Sequence, residues 1–163
     1  MGRFETWLRR EASVFSAIVW AILCLVLQKI YVFLFFYLIS FAEIPVGENE
    51  TIRGIFELPL PSLFFTLVQF AFFEEIIFRL PISWIVKTSD KKLSGVIFAS
   101  IIFSLLFGLA HSYVFSIFLQ GVLGFLFCIL YLKCGGFEGK ILKPLLVTTL
   151  THATYNFLLV FHI

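Results

Sequence analysis

Residues 72–79 read Phe72-Phe73-Glu74-Glu75-Ile76-Ile77-Phe78-Arg79, two adjacent carboxylates and an arginine inside an otherwise apolar run. From Leu58 to Val86 the chain is mostly Leu, Phe, Ile and Val. That exceeds the roughly 20 apolar residues a membrane-spanning helix needs. An ionisable side chain near a bilayer centre costs about 2.5–3.5 kcal/mol on insertion scales, and three of them fall within this short stretch. A purely structural span has no use for that cost. The default reading is a functional site inside the membrane.

Helical geometry separates the three charges. Glu75 and Arg79 are four apart with the acid N-terminal, so they share a face as a favourable ion pair. Glu74 lies about 100° round the helix from Glu75 and about 140° from Arg79, and does not easily share that arginine. Glu75 reads as the paired, structural carboxylate, and Glu74 as the one facing a cavity as a general base. The bland alternative is a single buried cluster that only fixes helix packing.

Composition sets the class. The 163 residues are 61% hydrophobic and 13% charged, with a mean hydropathy of +1.05. Soluble domains carry about 25% charged residues. The expectation is an all-α, polytopic membrane bundle of about five transmembrane helices with a four-helix catalytic core. It divides into residues 1–57 (an interfacial helix, the first span and an acidic loop) and 58–163 (the catalytic core). A net charge of +2 is too small and dispersed for a nucleic-acid partner. Cys24, Cys128 and Cys134 form no C-x-x-C and read as small hydrophobes, without metal or disulfide. The apolar run from Ser13 to Ala42 is too long for a signal-peptide core and lacks a convincing cleavage site, so it reads as an uncleaved span.

Along the chain, Met1 to Glu11 sets Phe4, Trp7 and Leu8 against Arg3, Arg9 and Arg10, as in a helix lying on the membrane surface. Lys29 interrupts the first span, either snorkelling or buried against a neighbour, or serving as a counter-ion for the Glu74 region. Glu43 to Glu57 is the sizeable polar loop. Pro81 should kink or end the second span. Leu93 to His111 makes a third, where Ser100, Ser104 and Gly108 form a small-residue stripe for close helix approach. A fourth runs from about Tyr113 to Leu132, and a fifth follows the glycine-rich loop at 133–140. In that scheme nine basic residues fall on one side and only Arg53 on the other. The split predicts a multi-pass plasma-membrane protein with a cytoplasmic N-terminus and an external C-terminus.

Two further spans carry isolated polar residues. Phe107 lies one turn before His111, where its ring can brace the imidazole, although a lone histidine at a helix end also suits an interface. Thr148, His152 and Asn156 recur every four residues as one polar stripe, facing either a cavity or a neighbouring helix. Counted along straight helices, His111 falls nearer the external surface than Glu74 or His152. His162 reads as incidental.

The ordered set Glu-Glu-x-x-x-Arg, Phe-x-x-x-His and His-x-x-x-Asn closely resembles the CPBP, or Abi, family of CAAX-type prenyl-protein endopeptidases and bacteriocin-processing proteins. The resemblance covers about 100 residues, from the second span to the C-terminus, and the chain is short for that family. It implies a glutamate-dependent intramembrane peptidase needing no cofactor. Glu74 with His111 would hold and deprotonate a water. His152 and Asn156 would donate to the oxyanion, and Glu75, Arg79, Phe107 and Thr148 would support them. Its substrate would be a peptide, a lipidated protein or a precursor protein delivered through membrane lipid.

Three rival readings remain. In a zinc-dependent version Glu74, His111 and His152 would be the ligands, although the chain has no H-E-x-x-H. A non-catalytic immunity protein would act by binding a bacteriocin. A proton-coupled transporter would use the same buried acids and histidines, but no inverted repeat is visible.

Overall fold

In the computed structural model, residues 2–41, 58–88, 92–111 and 116–160 are described. Among them every long element is a helix: α1 (Arg3–Arg9), α2 (Val14–Phe41), α3 (Leu60–Thr88), α4 (Leu93–Leu109), α5 (Ser116–Lys133) and α6 (Leu142–Val160). A single 3-10 turn, Gly136–Glu138, joins α5 to α6. The acidic loop and His162 lie outside the described residues.

The helix limits follow the apolar runs to within a few residues, because the polar breaks between runs are where backbone groups can meet water. α2 and α5 are long and apolar enough to cross a membrane, and α4 is apolar but slightly shorter. In α2 large side chains such as Phe15, Ile18, Ile22, Ile30 and Phe33 stand exposed. An apolar helix with so much open surface is stable when lipid covers it.

Of the kink or end expected at Pro81, the end does not occur: α3 runs on to Thr88. Proline removes one backbone bond. Beyond it, Ile82, Ser83 and Val86 are buried, and Ser83 Oγ lies 2.6 Å from the Tyr131 hydroxyl. That packing carries the helix past the defect.

Two pairs of helices position the site. α3 packs along α6, and α4 packs along α5, with α2 leaning on α5 and α6. The α4–α5 seam is close because the small residues expected to allow it do. A Cβ at Gly108 would sit 2.8 Å from Ile117 Cα, and one at Gly121 would sit 3.3 Å from Ser104 O. Ser100 and Ser104 turn their hydroxyls back onto Val96 O and Ser100 O, leaving the seam free of unmet donors.

α1 packs against the rest of the bundle through part of its apolar side. Leu8 is fully buried with Ile82, Val86, Val96, Leu132 and Phe137 and so covers the end of the bundle, while Phe4 stays exposed. Lys133 Nζ donates to Trp7 O at 2.6 Å and also to Arg10 O, and lies over the Trp7 ring. Glu11 bridges Lys143, at 2.9 Å, and Lys140. Basic side chains meeting free carbonyls and one carboxylate fasten the segment down, and sequence periodicity does not reveal such long-range partners. The turn beneath it uses Gly135 (φ 122°) and Gly139 (φ 77°) where side chains rarely fit.

Lys29 Nζ reaches Leu158 O at 3.4 Å, which favours the bland reading over a counter-ion to Glu74. Cys24, Cys128 and Cys134 are free, buried thiols.

Candidate active site

The expected ion pair is present on α3. Arg79 Nε lies 3.2 Å from Glu75 Oε2, and both side chains are fully buried. Helical spacing aligns them, and removal from water makes each depend on the other. Arg79 Cζ also lies 5.4 Å from the centre of the Phe107 ring, a cation–π contact.

Glu75 does more than the sequence suggested. Its second oxygen, Oε1, is 3.0 Å from His152 Nδ1 on α6. On the other side of that imidazole, His152 Nε2 lies 3.5 Å from Glu74 Oε2. The neighbouring glutamates therefore grip opposite nitrogens of one histidine. Their roughly 100° separation round α3 makes this feasible, because one carboxylate points to the bundle axis and the other along its edge. Glu75 is sealed off, whereas Glu74 keeps about a third of its side-chain exposure.

Aromatic rings fix the imidazoles. Phe127 stacks on His152 with centroids 4.6 Å apart and planes 30° apart. Phe107 meets His152 edge-on at 5.8 Å and His111 at 4.7 Å, and is itself packed by Phe78 at 5.2 Å. Gly124 makes room for that ring, since a Cβ there would stand 2.9 Å from Phe107 Cδ1. Phe107 is thus the hinge plate between the two histidines.

His111 lies in the turn just past α4. Its Nδ1 is 2.8 Å from Phe107 O and donates to that carbonyl, which leaves Nε2 with the lone pair. The ring folds back over the last turn of α4. Asn156 is half-buried on α6, one turn beyond His152. Thr148 is buried one turn before it, and donates to Pro144 O at 2.9 Å within its own helix.

All eight residues singled out from the sequence are described, but their grouping differs. Glu74, Glu75, Arg79 and His152 form one chain of contacts, and Phe107 joins His111 to it. His152 had been paired with Asn156, and Glu75 with Arg79 alone. The contact between α3 and α6 joins residues 77 positions apart, which no local spacing reveals. Phe127 was missed, because one Phe among 23 carries no signal of its own. Among the described residues no three His, Cys, Asp or Glu side chains gather as a group that could hold a metal ion.

The type II CAAX prenyl endopeptidase Rce1-like family model matches residues 56–158, which span α3 to α6 and the whole contact chain above. The chain belongs to this family, and with its apolar helices it is a membrane protein with a protease-type core. Searches of curated proteins and of solved structures returned no match. α1 and α2 lie outside the matched region.

Proposed function

We propose that this protein is an intramembrane endopeptidase that hydrolyses a peptide bond by a glutamate-activated water, without a resident metal. The observation that supports it best is the run Arg79–Glu75–His152–Glu74, in which a partly exposed acid ends a chain of buried charges.

The chemistry follows from counting protons. A carboxylate held by Arg79 only accepts, so His152 Nδ1 carries the hydrogen toward Glu75. Nε2 then faces the acceptor Glu74, and the contact is attractive when one proton lies between them. With that proton on His152, the four side chains sum to zero net charge, which suits a site shielded from water. Glu74 is then ionised and able to take a proton from water as the water attacks the scissile carbonyl. The imidazolium N–H at Nε2, with the Asn156 amide, donates to the oxyanion. Glu74 passes its proton to the leaving amine. His111 Nε2, free as an acceptor, orients the water opposite Glu74. Glu75 and Arg79 position His152, and Phe107, Phe127 and Thr148 hold the helices that present these groups.

The substrate class is a peptide segment delivered through the membrane: a lipidated C-terminus, a peptide precursor or a sorting tail. On this reading α2 to α6 make five crossings, with Arg3, Arg9, Arg10, Lys87, Lys91, Lys92, Lys133, Lys140 and Lys143 at the cytoplasmic end and the C-terminus outside.

The test is to purify Glu74→Gln and wild-type protein from the native membrane and sequence the peptides that remain bound. The reading expects intact peptides with the variant and the same peptides cut at one bond with wild type. Identical intact peptides with both would favour a binding protein, such as an immunity protein. Loss of cleavage on chelation, restored by zinc, would favour the metal.

A further inference from the structure

Between α2 and α6 runs a groove of about 290 Å³, bounded by Val14, Ala17, Ala21 and Leu25 on one helix and Val147 and Leu150 on the other. The two helices run parallel: contacts begin at Val14 and Lys143, and Lys29 still reaches Leu158 O farther along. Ala17 and Ala21, one turn apart, open the space by lacking side-chain bulk. From Val14 to Leu25 the groove spans roughly 16 Å at the helical rise. That matches one leaflet of a hydrocarbon core about 30 Å thick.

One end of the groove is basic. Lys143 lines it, Lys140 is exposed beside it, and Arg10 is exposed next to Glu11 in the chain. Glu11 takes up both lysines but carries only one charge, so the cluster stays cationic. The Lys140 and Lys143 ammonium groups hold the Glu11 carboxyl below its usual range, so this balance holds at neutral pH. The far end of the groove is lined by apolar residues and by Thr151 and Thr154. An elongated apolar slot of leaflet length with a cationic mouth matches one ligand shape, a single acyl chain under an anionic headgroup.

We infer that the α2–α6 groove is a binding site for an anionic phospholipid, with one acyl chain along Ala17, Ala21 and Leu150 and its phosphate at Lys143 and Lys140. The site lies apart from the Glu74–His152 centre and its first wall is built by a helix outside the family-matched region. Thr151 in its wall adjoins His152, so an occupied groove also backs the helix that carries the imidazole.

The test uses the full-length protein in mild detergent, followed by native mass spectrometry during titration with phosphatidylglycerol or phosphatidylcholine. One phosphatidylglycerol should be retained at least tenfold better than phosphatidylcholine. Ala21→Trp, which fills the slot, should abolish that retention while the protein keeps its melting temperature within a few degrees. Lys143→Gln should bring the two lipids to within about twofold, and Lys143→Arg should keep the preference. Equal retention of both lipids by wild type, or undiminished retention by Ala21→Trp, overturns the assignment. A lipid-free dimer that Ala21→Trp dissociates also overturns it and gives the groove to a second copy. None of these readouts requires peptide hydrolysis, so they stand or fall separately from the proposed reaction.

Discussion

At the residue scale, Glu75 is the side chain whose role changes most between sequence and structure. Spacing alone finds Arg79, four positions on, but His152 becomes its partner only when α6 is laid against α3. Local periodicity captures contacts within a helix and says nothing of contacts between helices. Arg79→Met should lower stability by about 3–5 kcal/mol, because it leaves Glu75 charged and buried without its cation. Glu75→Leu combined with Arg79→Met should restore most of that loss in denaturant unfolding, since neither charge is then stranded. The double variant should nonetheless cleave at least about a hundredfold more slowly than wild type, because His152 loses the acceptor that sets its hydrogen. Recovery of both stability and rate would show that Glu75 serves packing alone.

At the element scale, the helices and their small-residue seams were legible from composition. Apolar runs gave the limits of α2 to α6, and Ser100, Ser104 and Gly108 marked the face α4 turns to α5. The continuation of α3 past Pro81 was not legible, because it rests on burial of Ile82 and Val86 under α1 and α5. Two glycine variants separate packing from chemistry. Gly108→Ala drives a methyl onto the Ile117 and Ser116 backbone, and should cost about 1–3 kcal/mol in thermal or denaturant unfolding. Gly124→Ala instead pushes against the Phe107 ring, which packs both His111 and His152. Its peptidase rate should therefore fall by more than its stability change explains. Equal loss of rate in the two variants at matched stability would contradict the role given to Phe107.

At the scale of the whole molecule, the N-terminal segment is fastened to the last helix through Glu11, Lys140 and Lys143, a link invisible in sequence because it closes over more than a hundred residues. The folded state lowers the Glu11 pKa from its ordinary 4.5. A depressed carboxylate pKa contributes stability above 4.5, and that contribution is lost as pH falls through the lower folded value. Protection factors for the amides of residues 3–12, corrected for the intrinsic pH dependence of exchange, should therefore fall as the pH drops below 4.5, and Glu11→Gln should remove most of that fall. The effect is small, since these side chains are partly solvated. The proposed topology is checked at the same scale: if the chain crosses five times, tags at the two ends are cut by protease from opposite faces of the membrane, and cutting of both from one face contradicts that count.

The most direct measurement of the central claim is the rate of peptide-bond cleavage by purified protein in lipid vesicles, comparing wild type with Glu74→Gln on a substrate recovered from the variant. Loss of the general base should slow cleavage by about 10²–10⁴-fold, with an unchanged melting temperature and no effect of chelator on wild type. Cleavage by Glu74→Gln at the wild-type rate would contradict the account, because the acid at the open end of the Arg79–Glu75–His152 chain would then have no part in the reaction.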